Sequence, residues 1–342
     1  MAGIRKREQQ PTINDVARIA GVSKKTVSRV INRSPLLNKD TRERVESVIA
    51  KLGYVPNPQA RALAMGRNFL IGLLHDNPNA QMVLNFQEGV LEAISDTEFA
   101  LVVRPVNRHS PEMLDDVRAF LEQQRLWGVL ILPPISENEA LAELCRELGV
   151  GYVRMGSAAL DDPAHLVESN DREAVGKAVD YLVAQGHSRI GLIAGPNGFR
   201  SAQERREGFL EAIERHGLPF GPELIAQGNY TFETGLSAAE RLLEAVPRPT
   251  AIFASNDEMA AGALHAARQR EMEVPRDLSL VGFDDTAIAA HIWPPLTTVR
   301  WPIVSMARAA ALKLIHPTEA DEQPSRFLSD LVRRASVSRP MT

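Results

Sequence analysis

Among its 342 residues the chain has a single cysteine. Cys145 therefore rules out an intramolecular disulfide, and a reducing compartment suits the chain. It falls in the apolar stripe of a helical segment, ENEALAELCRELG, where a packed thiol is expected and a nucleophile is not. His109 and His216 have no donors at metal-ligand spacing. There is no P-loop, no G-x-S-x-G and no HExxH. The segment from Gly191 to Pro196 stops short of the dinucleotide fingerprint. An enzyme is thus disfavoured, and neither cofactor nor metal is expected. No uncharged apolar run reaches membrane-spanning length. Residues 1–10 carry Arg5-Lys6-Arg7 with no apolar run behind them, so a secretory leader is not expected. These absences lead to a cytoplasmic protein with no membrane partner. Internal repeats are not evident, and the residues after Ser336 lack leucine heptads, so no dedicated tetramerisation helix is expected.

What the chain does carry is an uneven charge. Its net charge of −4 alone points to no polyanionic partner. Residues 1–67, however, hold 14 Lys/Arg against 5 Asp/Glu, a net of +9, and the remainder holds 25 against 38, a net of −13. A basic head on an acidic body suits a head that binds a polyanion and a body that does not cling to it. Length and composition fit a soluble globular protein of two or three domains.

The centre of the head is Thr12 to Asn32, TINDVARIAGVSKKTVSRVIN. Thr12 is placed to N-cap a helix, with Asp15 three residues on to complete a capping interaction. Ile13, Val16, Ala17 and Ala20 recur at helical spacing on one apolar face. Gly21 then supplies the positive φ of a tight turn. Ser23 is placed to cap a second helix, in which Val27, Val30 and Ile31 face inward and Lys24, Lys25, Ser28 and Arg29 face out. Two helices across a glycine turn, the second with cations and hydroxyls on its free side, suit a major groove. Lys and Arg donate to guanine O6 and N7, and all of these side chains hold phosphates. The competing reading is a helical hairpin with a solvated basic face. A third helix is expected over Lys39–Leu52, with Val45, Val48, Ile49 and Leu52 inside and Tyr54 and Val55 closing the core. Asn57-Pro58 opens a short Ala-rich segment, Gln59 to Met65, that is marginal as a helix alone in water.

From Phe69 the pattern becomes strand and helix in alternation. Apolar runs such as FLIGLL, GVLIL, RIGLIAG and LSLVGF separate helical segments, which implies parallel sheets. Ligands of such sheets bind beyond the carboxyl ends of the strands. The polar and aromatic residues there are His75, Asp76 and Asn77 after the first run, Arg205 beyond RIGLIAG, Tyr230 and Phe232 after GNY, Asn256 and Asp257 after TAIFAS, Asp284 and Asp285 after LSLVGF, and Trp301 after TTVR. Carboxylates accept pairs of hydroxyl protons, Arg and Asn return donors, and an indole covers the apolar face of a sugar ring. The set suits a polyhydroxylated ligand. Asp285 is expected to cap the segment that follows it, and His187 to bridge helix and strand. Arg205 has Glu204 and Glu207 as alternative partners on its own helix.

The head stretch, the segment NKDTRERVESVIAKLGYVPN and the segment NPQARALA together resemble the lactose/galactose repressor family of bacterial transcription factors. The likeness runs through nearly the whole chain. It implies a small all-α helix-turn-helix head and an α/β body of two Rossmann-like, periplasmic-binding-protein-like lobes joined by three crossovers. The expected boundaries are 1–10 for a disordered arm, 11–56 for the head, 57–67 for a hinge helix, and 68–342 for the effector-binding and dimerisation body. Lobe one would take about 68–166 and 300–325, and lobe two about 167–297 and 326–337.

The resemblance also implies a homodimer on pseudo-palindromic double-stranded operator DNA. Its head contacts would be Thr12, Ser23, Lys24, Lys25, Thr26, Ser28, Arg29 and Asn32. Leu63 would wedge open a central base step in the minor groove, with Arg61 near the phosphates. Effector contacts fall at Arg205, Asn256 and Asp284, with Tyr230 and Trp301 where the family varies and Asp76 as a first-lobe contact. Leu132 and Met155 depart from the pattern, being apolar where some sugar-binding members are polar. The expected function is an allosteric repressor whose effector is a sugar or sugar derivative. A corepressor-dependent regulator with a non-sugar effector, and a ligand-binding receptor without DNA function, are the alternatives.

Overall fold

The computed structural model describes residues 11–31, 37–54, 68–76 and 79–341. Asn32, Arg61, Leu63 and Asn77 lie outside these residues, as do Val55, the arm and the hinge segment. The chain forms two compact units, Met1–Asn68 and Phe69–Thr342.

In the first unit α1 (Ile13–Ala20), α2 (Lys24–Ile31) and α3 (Lys39–Leu52) fall where the apolar spacing puts them. One oxygen of Asp15 accepts from the Thr12 amide at 3.1 Å and from its hydroxyl at 2.7 Å, which closes the first turn. Gly21 ends α1 at φ 63°, a conformation that a Cβ disfavours. Val16, Ala17, Ala20, Val27, Val30, Val45 and Val48 are buried together, and Ile13, Ile31, Ile49, Leu52 and Tyr54 pack around them.

The second unit holds two six-stranded sheets. The first contains β1 (Leu70–His75), β2 (Ala100–Pro105), β3 (Gly128–Ile131), β4 (Gly151–Gly156) and β5 (Leu166–Ser169). The second contains β6 (Ile190–Ala194), β7 (Ile225–Gln227), β8 (Ala251–Ala254), β9 (Ser279–Asp284) and β10 (Thr297–Arg300). Near the chain end, β11 (Arg326–Phe327) joins the first sheet and β12 (Asp330–Val332) the second. The orders are β11-β5-β4-β3-β1-β2 and β12-β10-β9-β8-β6-β7. All pairs are parallel except β10 with β12. Strands β3, β6 and β8 are buried at every position because helices cover both faces. Those helices are α4 (Ala80–Ile94), α5 (Met113–Gln124), α6 (Glu139–Glu147), α7 (Asp171–Ala184), α8 (Arg200–Arg215), α9 (Phe232–Leu243) and α10 (Asp257–Gln269). The short α11 (Ala287–His291) and α12 (Ile303–Ile315) follow. Cys145 is buried on α6, and burial pushes its thiol up to about 12, as befits a packed side chain.

The chain passes between the sheets at 169–171, 300–303 and 327–330. All three crossings fall beyond the expected edges at 166, 297 and 325. The reason is strand pairing: Leu166–Ser169 is hydrogen-bonded to β4, and Arg326–Phe327 to β5, so both belong to the first lobe. Thr297–Arg300 pairs with β9 and stays in the second.

Helices α7 and α8 approach closely at Gly208. A Cβ there would lie 2.1 Å from the carbonyl oxygen of Arg172. Gly208→Ala is therefore expected to destabilise the body by about 1–3 kcal/mol by forcing the helices apart. Urea unfolding would show a lower midpoint; an unchanged midpoint would mean that the two helices part freely.

Candidate functional site

On the head, Lys24, Lys25 and Arg29 are exposed along α2, and Ser28 is half-buried beside them. Val27 and Val30 hold the opposite side of this helix in the core. Three other expected DNA contacts have work within the fold. The Ser23 hydroxyl accepts from the Thr26 amide at 3.1 Å and lies 2.9 Å from the Thr26 hydroxyl, so both cap α2. Thr12 is held by Asp15, whose carboxyl is lowered to about 2 by that hydroxyl and by Arg18. The exposed cations of α2 thus stand on a helix whose start is fixed by the Ser23 hydroxyl.

In the body, the carboxyl ends of the two sheets face one cleft of about 810 Å³. In each sheet the strand order reverses direction beside the first strand, β1 or β6, and it is there that a parallel sheet opens a crevice. The described effector candidates Asp76, Arg205, Tyr230, Phe232, Asn256, Asp284 and Trp301 all line this cleft.

Arg205 forms the floor. Its Nε donates to Asp171 Oδ2 at 2.8 Å and its Nη1 to the Ser255 carbonyl at 2.6 Å. The guanidinium lies 3.6 Å from the centre of the Phe283 ring. Asp284 Oδ1 is 3.5 Å from Arg205 Nη1 and makes no hydrogen bond. Burial raises the Asp284 carboxyl well above the usual range, against the pull of Arg205, and neighbouring Asp257 adds to the rise. Asp284 sits at φ 108° and Tyr230 at φ 62°, strained conformations that concentrate at binding sites. The Tyr230 ring leans on Gly195, where a Cβ would lie 2.6 Å from the phenol oxygen. Asn256 supports this arrangement: its Oδ1 caps α10 through the Met259 amide at 2.9 Å, and its Nδ2 donates to the Tyr230 carbonyl at 3.0 Å. Trp301, at the second crossing, is 6 % exposed and meets Phe86 edge-on at 5.8 Å. Among the described residues its Nε1 has no hydrogen-bond partner.

Sequence reasoning missed Asp171, which is fully buried and anchors Arg205 in place of Glu204 or Glu207. Glu204 is drawn instead to Arg200 at 2.7 Å. Asp285 is not a helix cap: it pairs with Arg300 at 2.6 Å and Arg334 at 2.5 Å, binding β10 to the chain's last segment. Asp257 accepts from the Thr298 hydroxyl at 2.5 Å and the Thr286 amide at 2.8 Å, and burial pushes its carboxyl up to about 7. His187 lies in the loop between α7 and β6 and ties it to two other loops, touching the Thr250 hydroxyl and the Ser338 carbonyl, each at 2.9 Å. Leu132 and Met155 are core residues. Arg108 and Phe199 also line the cleft and carried no signal beyond their residue type. Among the described residues, no group of three His, Cys, Asp or Glu side chains is placed to hold a metal ion.

A helix-turn-helix head followed by a two-lobed α/β body with a polar cleft between its sheets defines a DNA-binding transcriptional regulator. Residues 12–57 match the model of bacterial regulatory proteins of the lacI family, and residues 179–337 match that of a periplasmic binding protein-like domain. The probable HTH-type transcriptional repressor ExuR of Bacillus subtilis is 34 % identical over 97 % of this chain and 99 % of its own. The ribose operon repressor of Escherichia coli is 32 % identical over 89 % of this chain and 92 % of its own. The chain belongs to the LacI family. Among solved structures, a complex of the regulator CelR with cellobiose has a TM-score of 0.70 and 31 % identity, covering 95 % of this chain and 99 % of that one. The lac repressor dimer bound to operator and an anti-inducer has a TM-score of 0.75 and 27 % identity, covering 96 % and 100 %.

Proposed function

We propose that the protein is a cytoplasmic homodimeric repressor that binds a pseudo-palindromic operator and releases it when a carbohydrate or carbohydrate derivative enters the cleft. The observation that carries the effector reading is the lining of that cleft. A carboxylate oxygen of Asp284 and the Trp301 indole N–H are buried there with no hydrogen-bond partner among the described residues, beside the Arg205 guanidinium. Each such atom costs free energy unless a ligand pairs with it. A sugar hydroxyl both donates and accepts, so one ring with adjacent hydroxyls serves both, and the flat indole suits its apolar face. The relatives support the class: one related structure holds cellobiose and one related repressor is named for ribose. Among the described residues no helix is long and apolar enough to cross a membrane.

The switch follows from the three crossings. A ligand that grips both lobes favours one lobe angle over another, and a two-state body that passes that preference to the DNA-binding head lowers operator affinity. The coupling is reciprocal: operator must weaken effector binding by the same factor.

The test is binding of the purified protein to DNA from its own upstream region, titrated with sugars and sugar phosphates. Release by one compound supports the proposal, whereas tightening identifies a corepressor. Affinity should fall steeply with salt through counterion release. Asp284→Ala is expected to leave operator binding intact and shift the effector response by about tenfold, the cost of one buried hydrogen-bonding partner. A normal response curve would remove Asp284 from the site.

A further inference from the structure

Helix α8 carries Arg205, yet it has no cap of its own. Its N-cap residue is Phe199, which has no side-chain acceptor. The first amides of a helix lack partners within it and need an acceptor from elsewhere. Here the acceptor comes from the other lobe. Glu137 lies in a short turn, Ile135–Glu137, between β3 and α6, and its Oε2 accepts from the Arg200 amide at 2.9 Å. Burial raises this carboxyl, and the amides of Arg200 and Ser201 pull it back. The turn that presents it is stiff: Arg154, 2 % exposed, donates from Nε to the Ser136 carbonyl at 2.7 Å. One residue before α8, the guanidinium of first-lobe Arg108 lies 4.1 Å from the centre of the Phe199 ring. Two consecutive residues of the second lobe are therefore held by two first-lobe side chains, and Phe199, Ser201 and Arg205 all line the cleft.

We propose that Glu137 is a positioning residue for the effector site, completing from the opposite lobe the N-terminus of the helix that carries Arg205. The arginine's helix is then fully ordered only at this lobe separation. Rotation of the lobes uncaps it, so lobe angle and ligand grip are linked without any ligand contact by Glu137. This rests on the reading of the cleft as the effector site, but its test does not.

The test is hydrogen exchange of the full-length protein, with neither operator nor sugar present, read on peptides covering 199–205. In Glu137→Ala the amides of 200–203 are expected to exchange about fivefold faster, the scale of a lost helix cap. Glu137→Gln keeps an acceptor oxygen and is expected to stay within about twofold of the parent protein. Unchanged exchange in Glu137→Ala overturns the proposal. So does a loss of protection spread evenly over both lobes in both variants, which is general destabilisation. Because the readout involves no effector, a failure to find a sugar that releases the operator leaves this result standing.

Discussion

Replacing Arg205 with leucine is expected to abolish the effector response and to destabilise the body by about 3–5 kcal/mol, because it strands a buried carboxylate. Asp171 is fully buried, and the Arg205 Nε at 2.8 Å is the charge that offsets it. The Ser169 hydroxyl, which donates to the other oxygen at 2.5 Å, cannot replace a cation. Removing both partners should cost less than removing one, so Arg205→Leu combined with Asp171→Leu is expected to recover part of the lost stability. Urea unfolding of the two single variants and the double variant measures this directly. Additive losses would show that the pair does not act as a unit. Lysine at 205 would restore a charge but not the planar fork that spans Asp171 and the Ser255 carbonyl, so its effector response should remain weak.

The second large effect concerns DNA. Arg29→Ala is expected to lose about 1–3 kcal/mol of discrimination at each half-site. A dimer engages two half-sites, so operator affinity should fall about 30-fold or more. Arg29 is exposed and outside the head core, so folding and effector binding should be unaffected. Competition between operator and scrambled DNA separates two roles. Lost selectivity assigns Arg29 to base reading, whereas uniform weakening with a shallower salt slope assigns it to phosphate. Unchanged affinity for both would move the reading face off this side of α2.

The head was legible because its signals are local. Caps, a turn glycine and an apolar stripe lie within single helices, and α3 spans the expected Lys39–Leu52. The cleft was legible to the extent that strand ends carry ligands, which is why Asp284, Tyr230 and Trp301 could be named. What escaped depends on distant pairing. Asp171 meets Arg205 from 34 residues away, and nothing near either residue announces it. Strand β5 is four residues long, and only its pairing with β4 assigns it to the first lobe. Helix α12, IVSMARAAALKLI, is buried around most of its circumference, and the exposed Ser305 and Arg308 leave only a narrow polar edge to mark it as a helix. The two sheets share one strand order, yet no internal repeat shows in the residues, since a core needs apolar volume and patterning more than particular side chains.

The late strands β11 and β12 bear on how the protein is made. Synthesis delivers the head first, and its contacts are local, so it is able to fold while the rest is still nascent. Neither lobe has that freedom. Each sheet takes an edge strand from residues 326–332, which are synthesised after every other strand of the body. A message cut short after α12 would leave both lobes unfinished together. The cell would then hold a basic head on an open, protease-sensitive body, with no half-built sensor able to persist alone.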